Sequence, residues 1–341
     1  MGMYCYNIYI KYFLFILLSP VLLFAGFPKA GTTAAPFLKI GVGARAVALG
    51  GNFTAISNDV STMYWNPAGI TEIGQISLEA THTSWFAGIS HDVFQLAIPF
   101  SDFSAIGLEL IYLTSGDIEQ TTIEDQEGNG IFYNVTDLAL GLAYAQKVTD
   151  RFSVAVKGKF IRQTIYNEEA STFAFDFGTK YQTEFNGLRI GMNLANFGGS
   201  MTMTGNDLLI VNEDPVTGQQ VDSHLKTESW PLPIVFRVGL AIDILGQSES
   251  LIQNHMNRIT LAIDGTHPND NFETIGAGVE YEWKELLALR VGYKANHEVE
   301  NLSFGGGLRL LLGGIRFNVD YAYADFGDLD KVQRFTAGLT F

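Results

Sequence analysis

The sequence predicts an all-β fold: a transmembrane antiparallel β-barrel of about 14 strands with an N-terminal lumenal plug that contains a short helix. Three observations carry this prediction. From Gln75 to the end of the chain, large apolar residues alternate with small or polar ones, which is the pattern of a sheet with one apolar face. The connections between these segments are alternately long and short, as in outer-membrane barrels. The preceding segment, rich in Gly and Ala, cannot bury its own apolar side chains and needs a surrounding wall.

The composition agrees with a membrane sheet and argues against one class of partner. Of the 341 residues, 47% are hydrophobic and only 17% are charged. Soluble domains carry roughly one quarter charged residues, so this chain has unusually few. The net charge of −15 argues against nucleic acid as a partner, because phosphate backbones attract basic surfaces.

Residues 1–25 are predicted to be a cleaved signal peptide. Lys11 precedes an apolar run from Tyr12 to Phe24, and Ala25 suits the last position before cleavage. The alternative is a single anchor helix, but the run of about 13 residues is shorter than the roughly 20 that span a bilayer. Cleavage would remove Cys5, the only cysteine, which excludes a disulfide scaffold and a thiol enzyme. We therefore expect export to the outer membrane of a Gram-negative-type bacterium.

Residues 26–72 are predicted to form the plug, with the segment 41–70 as its centre. Asn58 or Asp59 can cap a helical turn that runs from Val60 to Trp65. Asn66-Pro67 then ends this turn, because the residue before a proline is disfavoured in the α region. Ala68-Gly69 allows a sharp change of direction into the first strand. This segment is thus a compact knot of loop and helix.

Residues 73–341 are predicted to form the barrel. Long connections such as 116–133 and 198–231 follow the odd strands, whereas the connections after even strands are mostly tight. One connection, from Gly246 to Met256, is long although it should face the periplasm. The last strand ends on Phe341, an ending that resembles the signal read by barrel-assembly machinery. The expected strands lie near residues 75–87, 91–100, 103–115, 134–147, 151–165, 172–184, 187–197, 232–244, 257–266, 272–283, 286–296, 302–312, 314–323 and 332–341.

The parity of the alternation assigns two kinds of residue to the inner face. One is glycine, which permits close approach of another backbone but also serves to bend barrel strands. The other is a mixture of both charges, which can pair with a segment inside the lumen. Both kinds favour a plug over an open pore. The inward glycines are Gly178, Gly191, Gly239, Gly276, Gly278, Gly292, Gly305 and Gly307. The inward charges are Asp176, Lys180, Arg189, Arg237, Asp243, Asp264, Glu280, Arg290, Arg309, Arg316 and Asp320.

The stretch 39–70, KIGVGARAVALGGNFTAISNDVSTMYWNPAGI, resembles the N-terminal signature of the PorV/PorQ family within the FadL-like group of 14-stranded outer-membrane barrels. The preceding AGTTAAPFL is also similar to PorV. The resemblance covers about residues 30–70, and the rest agrees in architecture. The matching positions are Gly43, Ala44, Arg45, Ala46, Leu49, Gly50, Phe53, Asn58, Asp59, Tyr64, Asn66, Pro67, Ala68 and Gly69.

This resemblance implies two possible functions. PorV-like proteins serve type IX secretion: they accept secreted cargo from the translocon and pass it to a cell-surface attachment complex, whereas PorQ-like members hold surface components. FadL-like barrels instead carry small hydrophobic molecules across the outer membrane. FLKIGVGARA favours the PorV-like role, and loop 198–231 is too polar to suggest an apolar entry site. The expected function is therefore docking or shuttling of secretion cargo; the alternatives are a FadL-like transporter and, less in keeping with the pattern, a soluble exported β-protein.

The expected partners are outer-membrane lipid and lipopolysaccharide, together with secretion-system components and secreted cargo proteins. We expect no enzyme activity, no catalytic residue, no cofactor and no metal. Gly41 to Ala46 fits a loose G-x-G-x-x-A, but a dinucleotide site requires a βαβ unit. No G-x-S-x-G occurs. The six histidines show no ligand spacing; they are His82, His91, His224, His255, His267 and His297.

The plug motif provides the candidate site residues, and their expected role is structural. Asp59 should cap the short helix, Asn66 should fix the turn before Pro67, and Arg45 should pair with a lumenal acid such as Asp320 or Glu280. Ala68 and Gly69 complete the Asn-Pro-Ala segment that the resemblance assigns to the plug. The full set is Arg45, Asn58, Asp59, Tyr64, Asn66, Pro67, Ala68 and Gly69.

One predicted outer loop is strongly acidic. A run of like charges is most often a solvated loop. The same residues could also supply oxygen ligands to Ca²⁺ or a docking face for a basic partner. The five acidic residues are Asp117, Glu119, Glu124, Asp125 and Glu127.

Overall fold

The computed structural model describes residues 29–213, 219–247, 249–297, 299–327 and 331–341, so the predicted signal peptide lies outside the described residues. The chain forms a closed antiparallel barrel of fourteen strands in which each strand pairs with its neighbours in sequence. β1 and β14 close the barrel, with Leu78 opposite Leu339. The predicted barrel is confirmed. The strands are β1 Ser77–Ser84, β2 Ser90–Ser101, β3 Ser104–Thr114, β4 Val135–Thr149, β5 Phe152–Ile165, β6 Glu168–Gln182, β7 Arg189–Gly198, β8 Val235–Gly246, β9 Asn257–Pro268, β10 Thr274–Trp283, β11 Leu287–Ala295, β12 Leu302–Leu312, β13 Ile315–Asp325 and β14 Lys331–Thr340.

The alternation of the sequence sorts side chains between the two faces of the wall. Leu289 is 65% exposed on the outside, whereas the next residue, Arg290, is buried in the lumen. Val319 and Asp320 show the same contrast on β13. An apolar outer face and a polar interior are what a barrel wall in lipid requires, since no water is available there to solvate polar groups.

The two ends of the barrel differ in their connections. β1 begins and β14 ends at the same end, where residues 102–103, 150–151 and 313–314 form tight turns. In outer-membrane barrels the short turns face the periplasm, so we call this the periplasmic end and the opposite one the outer end. The expected exception, between β8 and β9, is present and contains a short strand, Ile252–Gln253, that pairs in parallel with β8. Among the described residues, no helix is long and apolar enough to cross a bilayer.

The outer end carries the two longest connections, residues 115–134 and 199–234, which we call the outer loop surface. Each contains a small antiparallel pair of strands that is separate from the barrel wall. In the first, Ile118–Glu119 pairs with Phe132–Tyr133. In the second, Leu209–Glu213 pairs with Gln220–His224. The second connection also contains the pair Ser200–Thr202 with Ser229–Pro231, and its Met201 and Leu232 are buried in the same apolar cluster as plug residues.

The predicted plug is present in the lumen. It consists of a 3₁₀ helix at Pro36–Lys39, helix α1 at Ala44–Ala48, helix α2 at Thr62–Trp65 and a 3₁₀ helix at Pro67–Glu72. α1 packs against β11 to β14, whereas the last 3₁₀ helix packs against β2 to β6. The plug thus reaches opposite sides of the wall, and most of its side chains are buried.

Inward glycines allow the plug backbone to lie directly on the wall. A Cβ at Gly292 would overlap the Leu49 carbonyl group, and a Cβ at Gly278 would lie 2.6 Å from the Leu49 carbonyl oxygen. Of the eight glycines assigned to the inner face, Gly307 is the exception: it lies beside Arg290 and Asp320 instead of the plug. The six that join Gly292 in facing plug atoms are Gly178, Gly191, Gly239, Gly276, Gly278 and Gly305.

The leading segment enters the barrel from the outer end. The Ala34 amide donates to the Pro231 carbonyl (2.9 Å), and Ala35 donates to the Gln163 side chain (2.9 Å). Lys39 pairs with Asp270 at 2.6 Å. From there the chain descends through the lumen to Ser77 at the periplasmic end. The exact division into 26–72 and 73–341 stays a prediction, as does the cleavage site.

Candidate functional site

Arg45 on α1 is the centre of the contacts between the plug and the wall. Its Nε and Nη2 donate to the two carboxylate oxygens of Glu280 at 2.8 and 2.7 Å, which is a bidentate pair. Its Nη1 donates to Asp59 at 2.9 Å and to Asn58 at 2.8 Å. The guanidinium also lies over the ring of Phe53, 5.3 Å from its centroid. Arg45 therefore joins α1 and the turn at Asn58-Asp59 to strand β10.

Glu280 extends this contact into a network across the wall. It accepts from Arg290 Nε at 2.6 Å, and Arg290 Nη1 donates to Asp320 at 2.5 Å. Of the two acids that the sequence offered to Arg45, Glu280 makes the direct pair and Asp320 is reached through Arg290. Glu280 has no solvent exposure, so its charge is balanced by these arginines instead of by water.

A second charged cluster holds the other side of the plug. Lys157 Nζ donates to the Met63 carbonyl at 2.8 Å and to Glu109 at 2.5 Å. Asp176 pairs with Lys159 at 2.7 Å. The sequence assigned Asp176 to the lumen but did not single out Glu109, Lys157 or Lys159. The alternation of the sequence could have assigned all three to the lumen, because each lies next to outward-facing residues of its strand.

Lys180, which the sequence placed in the lumen, also binds the plug. Its Nζ donates to the carbonyl groups of Ile56 (2.7 Å) and Ser57 (2.9 Å), and it pairs with Glu72 at 2.8 Å. The ammonium thus replaces hydrogen bonds that the loop carbonyls would otherwise make with water.

Asn66 fixes two parts of the chain through its side-chain amide. Its Oδ1 accepts from the Ala68 amide at 3.2 Å and caps the 3₁₀ helix that Pro67 opens. Its Nδ2 donates to the carbonyl groups of Thr54 in the plug (2.9 Å) and of Thr179 in the wall (3.0 Å). The same helix also includes Gly69, where a Cβ would overlap the Ser57 carbonyl.

The local structure around Asp59 differs from the expectation. α2 begins at Thr62 instead of Val60, and its N-cap residue, Ser61, makes no side-chain cap bond. Asp59 Oδ1 instead accepts from the Ser61 amide (3.0 Å) and hydroxyl (2.6 Å), which closes the turn before the helix. The other oxygen of Asp59, Oδ2, accepts from Arg45. Tyr64, on α2, donates its hydroxyl to the Leu38 carbonyl at 3.0 Å.

The plug leaves two polar cavities in the described residues, one at each end. The outer cavity has a volume of about 190 Å³ and is lined by Tyr64, Trp65, Arg237, Lys294 and Arg334, among others. Beside it, burial would raise the pKa of Glu300, but the Lys294 ammonium at 2.6 Å outweighs burial and holds that pKa below its usual value.

The second cavity is a vestibule of about 390 Å³ at the periplasmic end, on the other side of the plug. Its lining includes Arg45, Asp59, Arg258, Glu282 and Arg309. Arg309 pairs with Glu282 at 2.6 Å. Charged side chains line both cavities, and the outer one also has apolar groups such as Val235 and Phe272.

The outer loop surface combines exposed apolar side chains with the acidic run. Ile123 is 93% exposed and Phe132 57% in the first loop, and Val211 is 55% exposed in the second. Glu119 accepts a hydrogen bond from the Gly130 amide at 3.0 Å. Across the described ranges, no group of three or more His, Cys, Asp or Glu side chains is arranged to hold a metal ion.

Comparison with known proteins gives one family and one fold. The family model described as type IX secretion system protein PorV matches residues 27–207. No curated protein matches the chain in sequence.

Solved structures that resemble the chain include three barrels. The toluene transporter TodX of Pseudomonas putida has a TM-score of 0.56 at 12% identity, covering 88% of this chain and 97% of that one. A FadL homologue of Pseudomonas aeruginosa has a TM-score of 0.54 at 12% identity, covering 88% and 98%. The toluene transporter TbuX of Ralstonia pickettii has a TM-score of 0.53 at 13% identity, covering 88% and 97%. At these identities the likeness concerns the fold alone.

Proposed function

The chain belongs to the PorV family of type IX secretion proteins, and from that premise we propose that it is a docking barrel for secretion cargo in the outer membrane. In this proposal the outer loop surface accepts a secreted protein or a secretion-system component. The barrel and plug hold that surface at the cell surface and perform no chemistry. The observation that carries the proposal is the filled lumen beneath a large exposed loop surface.

The filled lumen supports docking because the plug occupies the interior of the barrel. The plug contacts opposite walls, and the two cavities beside it are lined by charged groups. A hydrophobic solute that crossed the lumen would have to pass the buried pair of Arg45 and Glu280. Separating these two charges inside the barrel is costly, because each would lose its partner. Such a plug suits a scaffold better than a channel.

The outer loop surface supports docking because it presents side chains that a monomer would otherwise bury. Ile123 lies between the paired strands of the first hairpin, Phe132 lies in one of those strands, and Val211 lies in a strand of the second hairpin; all three side chains are exposed. Contiguous exposed apolar groups rimmed by polar ones are typical of protein interaction sites. The acidic run from Asp117 to Glu127 lies beside them and would favour a partner with basic groups.

The test is capture of partners by the tagged, full-length protein from its own cells in mild detergent. A variant in which a Gly/Ser linker replaces residues 118–133 should lose secreted proteins and secretion components from the captured set. The control replaces residues 102–103, a tight turn at the periplasmic end, in the same way. Gel mobility before and after boiling checks that each variant is a folded barrel. Capture that is equal for the wild type and the 118–133 variant would contradict docking through this loop.

The alternative is transport of a small hydrophobic molecule, which the fold shared with TodX and TbuX favours. Uptake of labelled toluene or a labelled fatty acid by cells that express the chain, lost on deletion of residues 58–69, would support it. The two functions differ in what the plug must do: transport requires that it open, whereas docking requires only that it stay in place.

A further inference from the structure

The outer cavity contains two buried arginines that form no direct ion pair among the described residues, although two acids of the same lining act on them through space: Asp264 on Arg237 and Glu300 on Arg334. Arg237 on β8 is 6% exposed and Arg334 on β14 is 2% exposed, and both line the cavity. Nη1 of Arg237 and both Nε and Nη1 of Arg334 are buried without a hydrogen-bond partner. The two lysines of the same lining do have partners, since Lys39 pairs with Asp270 and Lys294 with Glu300.

Aromatic rings hold both guanidinium groups in place. Arg237 lies over Tyr64 and Trp65, 5.2 and 5.3 Å from their centroids. Arg334 lies over Trp85 at 5.5 Å, and Trp85 packs edge-on against Phe326 at 5.2 Å. Stacking fixes the plane of a guanidinium but leaves its N–H donors unused at the edges. These donors are therefore available to a ligand.

The unpartnered groups continue along the wall next to Arg334. Thr83 on β1 lies opposite Arg334 in the register of β14, and opposite His91 in the register of β2. All three side chains are buried, and the Thr83 hydroxyl and both ring nitrogens of His91 also lack partners. Buried polar groups in folded proteins nearly always have partners, so such a row indicates a bound species.

We propose that the outer cavity binds a small oxyanion, of the phosphate, sulfate or short carboxylate class, between Arg237 and Arg334. Water could accept from the free donors, but an anion would also offset the excess positive charge, because the two arginines share the lining with only one acid, Asp264, that is not already paired with a lysine. A planar guanidinium with free N–H groups matches the oxygens of such an anion. The cavity of about 190 Å³ has room for a small anion.

The test is anion titration of the purified full-length barrel in non-ionic detergent at low ionic strength. The probes are sodium phosphate, sodium sulfate and sodium acetate, each compared with sodium chloride at matched ionic strength. The readout is tryptophan fluorescence, because Trp65 lines the cavity and Trp85 stacks on Arg334. We expect a saturable change with at least one oxyanion. A response to phosphate and sulfate alone identifies a tetrahedral anion, and a response to acetate identifies a carboxylate.

Two variants assign the signal to this cavity. Arg334→Gln and Arg237→Gln should each raise the dissociation constant about tenfold or more, because each removes charge-assisted hydrogen bonds. Arg162→Gln removes the same charge from an exposed pair at the outer end and should change nothing. The heat-dependent gel shift reports folding, so either variant carries the test if the other fails to fold. A wild type that responds to all anions as it does to chloride, or unchanged affinity in the folded variants, would overturn the proposal.

Discussion

The plug and the outer loop surface both lie outside the strand pattern, but their contacts differ. Most plug side chains are buried, and ion pairs of Arg45 with Glu280 and of Glu72 with Lys180 join the plug to the wall. The outer loops expose apolar groups such as Ile123, although the second loop is also bonded to the wall, where Thr204–Gly205 pairs with β6. The comparison shows that the barrel places ion pairs inside and apolar groups outside, and in the proposed function those outer groups contact the partner. Substitutions in the plug should therefore change stability, and those in the loops should change binding.

The largest expected effect is that of Glu280→Ala. This change leaves the buried guanidinium groups of Arg45 and Arg290 without their shared carboxylate, and removing one member of a buried pair costs about 3–5 kcal/mol. Urea unfolding in lipid vesicles, followed by tryptophan fluorescence, measures the loss. Glu169→Ala is the matched control, because its pair with Arg162 is exposed and should contribute less than about 1 kcal/mol. Equal losses in the two variants would remove the distinction between plug and surface.

The next effect is that of Gly292→Ala, which tests the close contact of plug and wall without changing charge. The new Cβ would overlap the Leu49 carbonyl, and overpacking of this kind costs about 1–3 kcal/mol or more. Increased cleavage of the plug by an added protease, together with the same urea unfolding, reports displacement. Gly265→Ala on β9 is the control, because no atom lies within 4 Å of its Cβ. If the Gly292→Ala barrel is as stable to urea and as resistant to protease as this control, the plug can move away from the wall at no measurable cost.

The alternation of the sequence was sufficient to predict the wall and the lumenal face. Leu289 and Arg290 show why: on a two-sided sheet, adjacent residues must point to opposite faces. The glycines of the inner face indicated a plug because glycine permits close approach of another backbone, and seven of the eight lie against plug atoms. The sequence also indicated one contact between plug and wall, since Arg45 was expected to reach a lumenal acid and pairs with Glu280.

The remaining contacts depend on distances between strands that the sequence does not contain. Glu109 on β3 meets Lys157 on β5 across β4, where Gly141 leaves the space: a Cβ there would lie 3.2 Å from Lys157. Such a pair depends on the register of three strands at once. The entry of the leading segment from the outer end was equally hidden, because it follows from single contacts such as Lys39 with Asp270.

A smaller effect is expected from Asp59→Ala, which removes both the hydrogen bond that closes the turn and the ion pair with Arg45. The loss should be about 1 kcal/mol, because the carboxylate satisfies the Ser61 amide and its pair with Arg45 is partly exposed. Asp59→Asn keeps an oxygen for the turn and removes the charge. The decrease in the free energy of unfolding that Asp59→Asn causes therefore measures the contribution of the ion pair with Arg45. If Asn destabilises as much as Ala, the turn contributes nothing.

The smallest effect on stability is expected from Ile123→Ser, although its effect on binding should be the clearest. Because Ile123 is 93% exposed, the free energy of unfolding should change by less than about 0.5 kcal/mol. If the first outer loop is the docking face, the same substitution should reduce the amount of captured partner, since exposed apolar anchors contribute much of the affinity of an interface. Val211→Ser makes the equivalent change in the second loop, so the pair of variants tells which hairpin the partner contacts. Full capture by the double variant would show that the partner does not bind through Ile123 or Val211. It would contradict the assignment of partner binding to these two loops.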